Sequence, residues 1–321
     1  MLYLNAESLT KAASPDEIMD AIEKAYKIVD TDAYHMPQRI HLDYQGNTVL
    51  YMPCFLETLL GTKLLTLFPG NAAKGEPVIN GLVLLNSLEN GVPLALLDGG
   101  RLTALRTGAV GAVAVRHLAP QGAERAGLIG AGIQGFYQLL FASHARRLKQ
   151  ITVFDIDAAK AEDLCRRLKM ELPDVHIQTA VSNEELLRNS EIIITATPAE
   201  KPVLPDDGAL LENKLFIGIG SYKPEMREFP ESLYRLLDNV YVDTLHGLEE
   251  TGDLITPLHN KWIQREQVIR FARFLGDGEG SNLSGKQTRL FKSVGMALFD
   301  MVVGELLYSN ALAKQLGTEL N

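Results

Sequence analysis

The pattern of apolar and polar positions divides the chain into two textures. The first hundred residues are β-rich. Residues 1–4 read as a short strand, and Ser14-Pro15-Asp16-Glu17 as an N-cap with proline at the first helical position, opening a helix to about Val29. Ile18, Ile22, Ala25, Tyr26 and Val29 form its apolar face. Residues 39–44, a turn at Gly46-Asn47 and residues 48–52 predict a hairpin. Strands over 58–68, 78–87 and, after a turn at Glu89-Asn90-Gly91, 92–97 complete a small antiparallel sheet. A helix rich in Ala and Gly follows over 101–117, and Ala119-Pro120-Gln121-Gly122 reads as a linker.

From about residue 123 strands and helices alternate. Apolar strands are expected at 126–129, 151–154, 176–179, 191–195, 215–219 and 240–243, with helices at 136–148, 158–170 and 183–188 between the first four. A last apolar helix is expected over 288–307, returning to the β-rich part. Alternation of this kind predicts an α/β fold with a doubly wound parallel sheet. The expected domains are residues 121–285 and a discontinuous α+β domain of residues 1–120 and 286–321.

The first strand runs into Gly130-Ala131-Gly132-Ile133-Gln134-Gly135, the G-x-G-x-x-G spacing. Gly130 permits a tight turn, Gly132 lets a pyrophosphate approach the backbone, and Gly135 lets helix and strand pack closely. The helix N-terminus then offers N–H groups and a partial positive charge to phosphates. Asp155 ends the second strand twenty residues after Gly135, placed to accept both adenosine ribose hydroxyls. It would repel a 2′-phosphate, so the Rossmann-type domain is expected to bind NAD in preference to NADP. Thr195 and Thr197 close the fourth strand, and Gly220-Ser221-Tyr222 follow the fifth, at the sheet edge where such folds bind ligands.

Composition narrows the partners. The 321 residues are 46% hydrophobic and 22% charged, with net charge −9 and a sequence pI near 5.4, which argues against nucleic acid as a partner. The N-terminal residues lack a signal-peptide pattern, no apolar run approaches a membrane span, and the two cysteines make no disulfide framework, so a cytoplasmic location is expected. The histidines show no metal-ligand spacing. Gly280–Lys286 nearly spells a P-loop, but Gln287 stands where Ser or Thr must hold magnesium. Asn282-Leu283-Ser284 is formally a glycosylation sequon, without meaning in the cytoplasm.

Three cations stand out in the β-rich part: Arg39, Lys63 and Arg106. Lys63 interrupts the apolar run Leu59-Leu60-Gly61-Thr62-Lys63-Leu64-Leu65, so it should be paired or face a pocket; snorkelling to the surface or a purely structural ion pair is the alternative reading. An anionic substrate would suit such a cluster, since Arg binds carboxylates bidentately.

Leu102-Thr103-Ala104-Leu105-Arg106-Thr107-Gly108-Ala109, then Gly130–Gly135, then Leu290-Phe291-Lys292-Ser293-Val294-Gly295-Met296-Ala297, resemble the ornithine cyclodeaminase/mu-crystallin family in order and separation. The resemblance covers essentially the whole chain. It implies a homodimeric NAD(P)-dependent enzyme of small amino or cyclic imino acids, its discontinuous domain binding substrate and dimerising. It also implies that Arg39 and Lys63 hold the substrate carboxylate and that Arg106 sits between substrate and cofactor. Thr107, Ile133, Gln134, Asp155, Thr197 and Ser221 would line the dinucleotide. Tyr222 stands where cyclodeaminases carry an aspartate, so hydride transfer at a Cα–N bond is expected, with Lys63 moving the proton and Tyr222 assisting. Two alternatives stay open: a cyclodeaminase using Glu225 or Glu228 in place of that aspartate, and a cofactor-binding protein without turnover.

Overall fold

The computed structural model describes residues 1–29, 31, 33–276 and 288–320; the P-loop-like stretch and the sequon lie outside the described residues. The chain forms two compact units, Met1–Arg106 with Met296–Asn321, and Thr107–Gly295. One division falls inside the helix Gly99–Leu118, where the sequence pattern had suggested residues 119–122.

The first unit holds β1 (Leu2–Leu4), β2 (Ile40–Tyr44), β3 (Asn47–Phe55), β4 (Leu59–Leu67), β5 (Ile79–Ser87) and β6 (Pro93–Asp98). Their sheet runs from Thr318–Glu319 through β1, β6, β5, β4 and β3 to β2. β2 to β6 pair antiparallel throughout, as expected from the hairpins, and β1 adds to β6 in parallel. The long intervening chain imposes no hairpin on that pair. The first hairpin turns one residue early, at Gln45-Gly46 with φ of +50° and +77°, so that Asn47 pairs with Tyr44.

Strand alternation makes two unlike sheet faces. On β4, Leu59, Gly61, Lys63, Leu65 and Leu67 are buried. The helix Ala297–Ala313, apolar nearly all round, packs on that face: a side chain on Gly61 would begin 2.6 Å from Met301 Sδ. The helix Pro15–Ile28, opened by a reciprocal Ser14/Glu17 capping box, packs beside it through Tyr26 against Phe299. The opposite face carries Ile40, Tyr51, Leu64 and Leu82 as one cross-strand row, and Ile40 and Leu82 are 52% and 41% exposed.

The second unit holds β7 (Arg125–Ile129), β8 (Gln150–Phe154), β9 (His176–Thr179), β10 (Ile192–Thr195), β11 (Leu215–Gly218), β12 (Val240–Val242), β13 (Val268–Arg270) and β14 (Arg289–Lys292). All pair in parallel, in the order β13-β12-β14-β11-β10-β7-β8-β9. The helix expected over 288–307 is therefore two elements. Its first part is β14, seated between β11 and β12, and the helix begins only at Ala297. A strand buried on both faces shows no alternation, so it reads as the start of the helix behind it. Asp243 makes the break, accepting from Ser293 Oγ at 2.6 Å and Gly295 N at 2.7 Å, with Gly295 at φ +74°. The helix after β7 spans Ile133–Ala145 rather than 136–148, because the chain turns helical directly after Gly132. Among the described residues no helix is long and apolar enough to cross a membrane.

Gly61→Val is expected to destabilise the protein by about 1–3 kcal/mol, since its Cβ would also meet the Leu84 carbonyl oxygen at 2.6 Å. Urea unfolding measures this, and an unchanged midpoint would show that the helix does not press on β4.

Candidate active site

In the second unit the glycine-rich loop leaves β7 with Gly130 at φ +103°, where a Cβ would lie 2.7 Å from the Ala196 carbonyl oxygen. At Gly135 a Cβ would lie 2.4 Å from the Gly130 carbonyl oxygen, so the helix can approach only without one. Gly132 differs: a Cβ there meets nothing within 4 Å, and this residue caps the helix Ile133–Ala145 without any side-chain hydrogen bond. Its first N–H groups therefore point from a bare backbone into open space, as an anion site requires. Asp155, just after β8, accepts the Ala131 N–H at 2.7 Å through Oδ2 and the Asp157 N–H at 2.9 Å through Oδ1. Those bonds fix its carboxylate beside the loop and leave lone pairs for further donors.

The hydroxyls of Thr107 and Thr195 and Oε1 of Gln134 are buried without a hydrogen-bond partner among the described residues. Buried polar atoms of this kind call for a partner. With the bare cradle at Gly132 they fit a dinucleotide.

Glu228 does not fit the role of a substrate-handling carboxylate. It is fully buried, and both oxygens are taken by backbone amides and the Thr197 hydroxyl. Oε1 accepts from Thr197 N and Oγ1, each at 2.8 Å, while Oε2 accepts from Gly220 N at 2.9 Å and Ser221 N at 3.3 Å. Ser221 Oγ in turn bonds the Met226 carbonyl and the Thr251 hydroxyl. Tyr222 is 38% exposed, and burial, reinforced by Glu225, raises its phenol above the ordinary range, so it keeps its proton at neutral pH. Glu225 is exposed.

In the first unit Lys63 is buried and paired, which excludes snorkelling. Its ammonium donates to Asp300 Oδ2 at 2.7 Å, and Arg106 Nε donates to Asp300 Oδ1 at 3.1 Å. Lys63, Arg106 and Asp300 are respectively 1%, 7% and 0% exposed. Burial pushes Lys63 down to about 8; Arg106 and Arg39 push the same way, and Asp300 pulls back. Lys63, Arg106 and the half-buried Arg39 thus form one electrostatic group. Cys54 belongs to the same surroundings, its thiol raised to about 12 by burial and by Asp300, and so is no nucleophile at neutral pH.

Asp300 escaped the sequence reading. Its signal was the one Lys63 gave: a lone charge among Leu298, Phe299, Met301 and Val302. Lys292, buried in the second unit after Leu290-Phe291, carried a similar signal, whereas the equally buried Asp253 follows Glu249-Glu250-Thr251-Gly252 and carried none.

A profile of the ornithine cyclodeaminase/mu-crystallin family matches residues 2–315. A Delta(1)-pyrroline-2-carboxylate reductase of Bacillus cereus is 30% identical, over 100% of this chain and 99% of its own length. The Thermococcus litoralis Delta(1)-pyrroline-2-carboxylate reductase, in complex with NADH and L-proline, superposes with a TM-score of 0.93 at 31% identity, covering 100% of both chains. An archaeal alanine dehydrogenase dimer with bound NAD gives 0.90 at 26% identity, covering 100% of this chain and 99% of its own. The chain belongs to the ornithine cyclodeaminase/mu-crystallin family.

Proposed function

We propose that this protein is an NAD-dependent oxidoreductase acting on the Cα–N bond of a small amino acid or cyclic imino acid. The observation that carries the reading is the Lys63–Asp300–Arg106 cluster. Two buried cations share one carboxylate, which leaves a net positive charge where water is excluded. An anion is the natural further member, and a substrate carboxylate supplies it. The relatives named as Delta(1)-pyrroline-2-carboxylate reductases, one of them in complex with L-proline, and as an alanine dehydrogenase support that class of substrate.

Arg39 and Arg106 would hold the carboxylate, a fork being suited to two oxygens. Lys63, near 8, is poised to give a proton to an imine nitrogen or to take one from an amine. The bound dinucleotide supplies or takes the hydride at carbon. Asp155 favours NAD by repelling a 2′-phosphate. Cyclodeamination is the weaker reading: Tyr222 replaces the aspartate, Glu228 is committed to backbone, and Glu225 faces solvent. The retained cluster disfavours a binding protein without turnover. We place the protein in the cytoplasm as a homodimer, joined through the outer face of the first unit's sheet, whose apolar row lies open to solvent. The dimeric alanine dehydrogenase supports a dimer.

Lys63→Met is expected to lower kcat for reduction of a five- or six-membered cyclic imino acid with NADH by about 10²–10⁴. In the wild type this rate should fall as pH rises through about 8, when Lys63 loses the proton it must donate; amino-acid oxidation should rise over the same interval. Absorbance at the nicotinamide band reads both, and full activity in the variant or two flat profiles would contradict the assignment. Light scattering after gel filtration should find a dimer, and a double Ile40→Glu, Leu82→Glu variant a folded monomer. A monomeric wild type, or a variant that still dimerises, would remove the sheet face from the interface.

A further inference from the structure

The second unit contains a charged group that the proposed chemistry does not use. Glu228, Asp253 and Lys292 are all buried, and they lie beneath the turns that follow β10 and β11. Sheet order tells which part of a dinucleotide those turns serve. The glycine loop follows β7, and Asp155 follows β8 on one side of it; β10 and β11 lie on the other. With the pyrophosphate over the glycine loop and the adenosine ribose toward Asp155, the second nucleoside must extend over the ends of β10 and β11.

Those two turns touch without intervening side chains. A Cβ on Gly220 would fall 2.1 Å from the Thr197 carbonyl oxygen and 2.2 Å from Thr197 N. Glu228 spans the contact, one oxygen on Thr197 and the other on Gly220 and Ser221. Four donors converge on one carboxylate, which two strand ends alone could not hold in register. Asp253 seats the clamp from behind, accepting Glu228 N at 2.8 Å and Phe229 N at 3.2 Å, and Lys292 Nζ stands 3.7 Å from Asp253 Oδ2.

We infer that Glu228 is a positioning residue that fixes the Thr197 and Gly220-Ser221 turns against each other, and so shapes the bed of the nicotinamide half of the cofactor without touching it. The inference rests on the dinucleotide reading and is independent of which imino acid is reduced. Glu228→Gln keeps the size of the side chain but turns an NH₂ toward donors at one of the two turns. The nicotinamide half should lose its bed while the adenosine half keeps the glycine loop and Asp155.

The test compares NADH with ADP, which lacks nicotinamide and its ribose, by calorimetric titration of the intact protein. In Glu228→Gln, NADH affinity should fall about 10–100-fold, the cost of opposing buried donors at one turn, while ADP affinity changes less than about twofold on the same grounds. Circular dichroism and thermal melting establish that the variant is folded. If it is not, Glu228→Asp takes its place, keeping the charge on a stem too short to reach both turns, with the same selective loss expected. Equal losses for the two ligands, or none, would overturn the inference. A wild type that binds neither ligand would overturn the dinucleotide reading as well, which separates the two failures.

Discussion

One carboxylate in the first unit holds two cations out of water. Asp300, on the helix laid across the buried face of β4, receives the Lys63 ammonium on one oxygen and the Arg106 guanidinium on the other. Burial on this scale is a poor way to gain stability. Removing one partner of a buried pair costs about 3–5 kcal/mol, yet replacing the whole pair by apolar side chains is often neutral or favourable. The cluster therefore calls for a chemical reason. It supplies one: an amine whose proton affinity lies within physiological reach, in an enclosure that still lacks one negative charge.

The second unit repeats the device for another purpose. Glu228 also sits buried with both oxygens engaged, but its donors are backbone amides and one hydroxyl rather than cations. That carboxylate cannot take part in proton traffic, because every direction from which a substrate might reach it is occupied. Asp155 lies between these extremes, partly tied to the Ala131 amide and partly open. What surrounds each of these three carboxylates sets it apart: two cations at Asp300, two turns at Glu228, and a half-open edge at Asp155. Residue type alone distinguishes none of these settings.

The same distinction explains what the sequence disclosed. The strand–glycine–helix–strand unit was legible because its signal is local: an apolar run, glycines at fixed spacing, and an acid at the end of the next strand. Lys63 was legible as an anomaly on an apolar strand. Asp300 was the identical anomaly on an apolar helix, but its meaning lies in a partner 237 residues away, and spacing carries no such information. β14 was mistaken for helix because Leu290 and Phe291 run into the apolar Ala297–Ala313 helix with only Ser293–Gly295 between. The break depends on Asp243, a residue of another strand end. Glu228 was offered as a substrate carboxylate because it lies in the right turn; only the direction of four hydrogen bonds shows otherwise.

The claim on which the account turns is that burial beats Asp300 in setting the proton affinity of Lys63. Heteronuclear NMR of protein labelled at the lysine side chain, with the Lys63 signal assigned by its loss in Lys63→Met, reads that affinity directly. The account predicts a midpoint near 8, moving lower in Asp300→Asn as the one opposing charge is removed. A midpoint near the ordinary lysine value of 10.5, or one indifferent to Asp300→Asn, would contradict it.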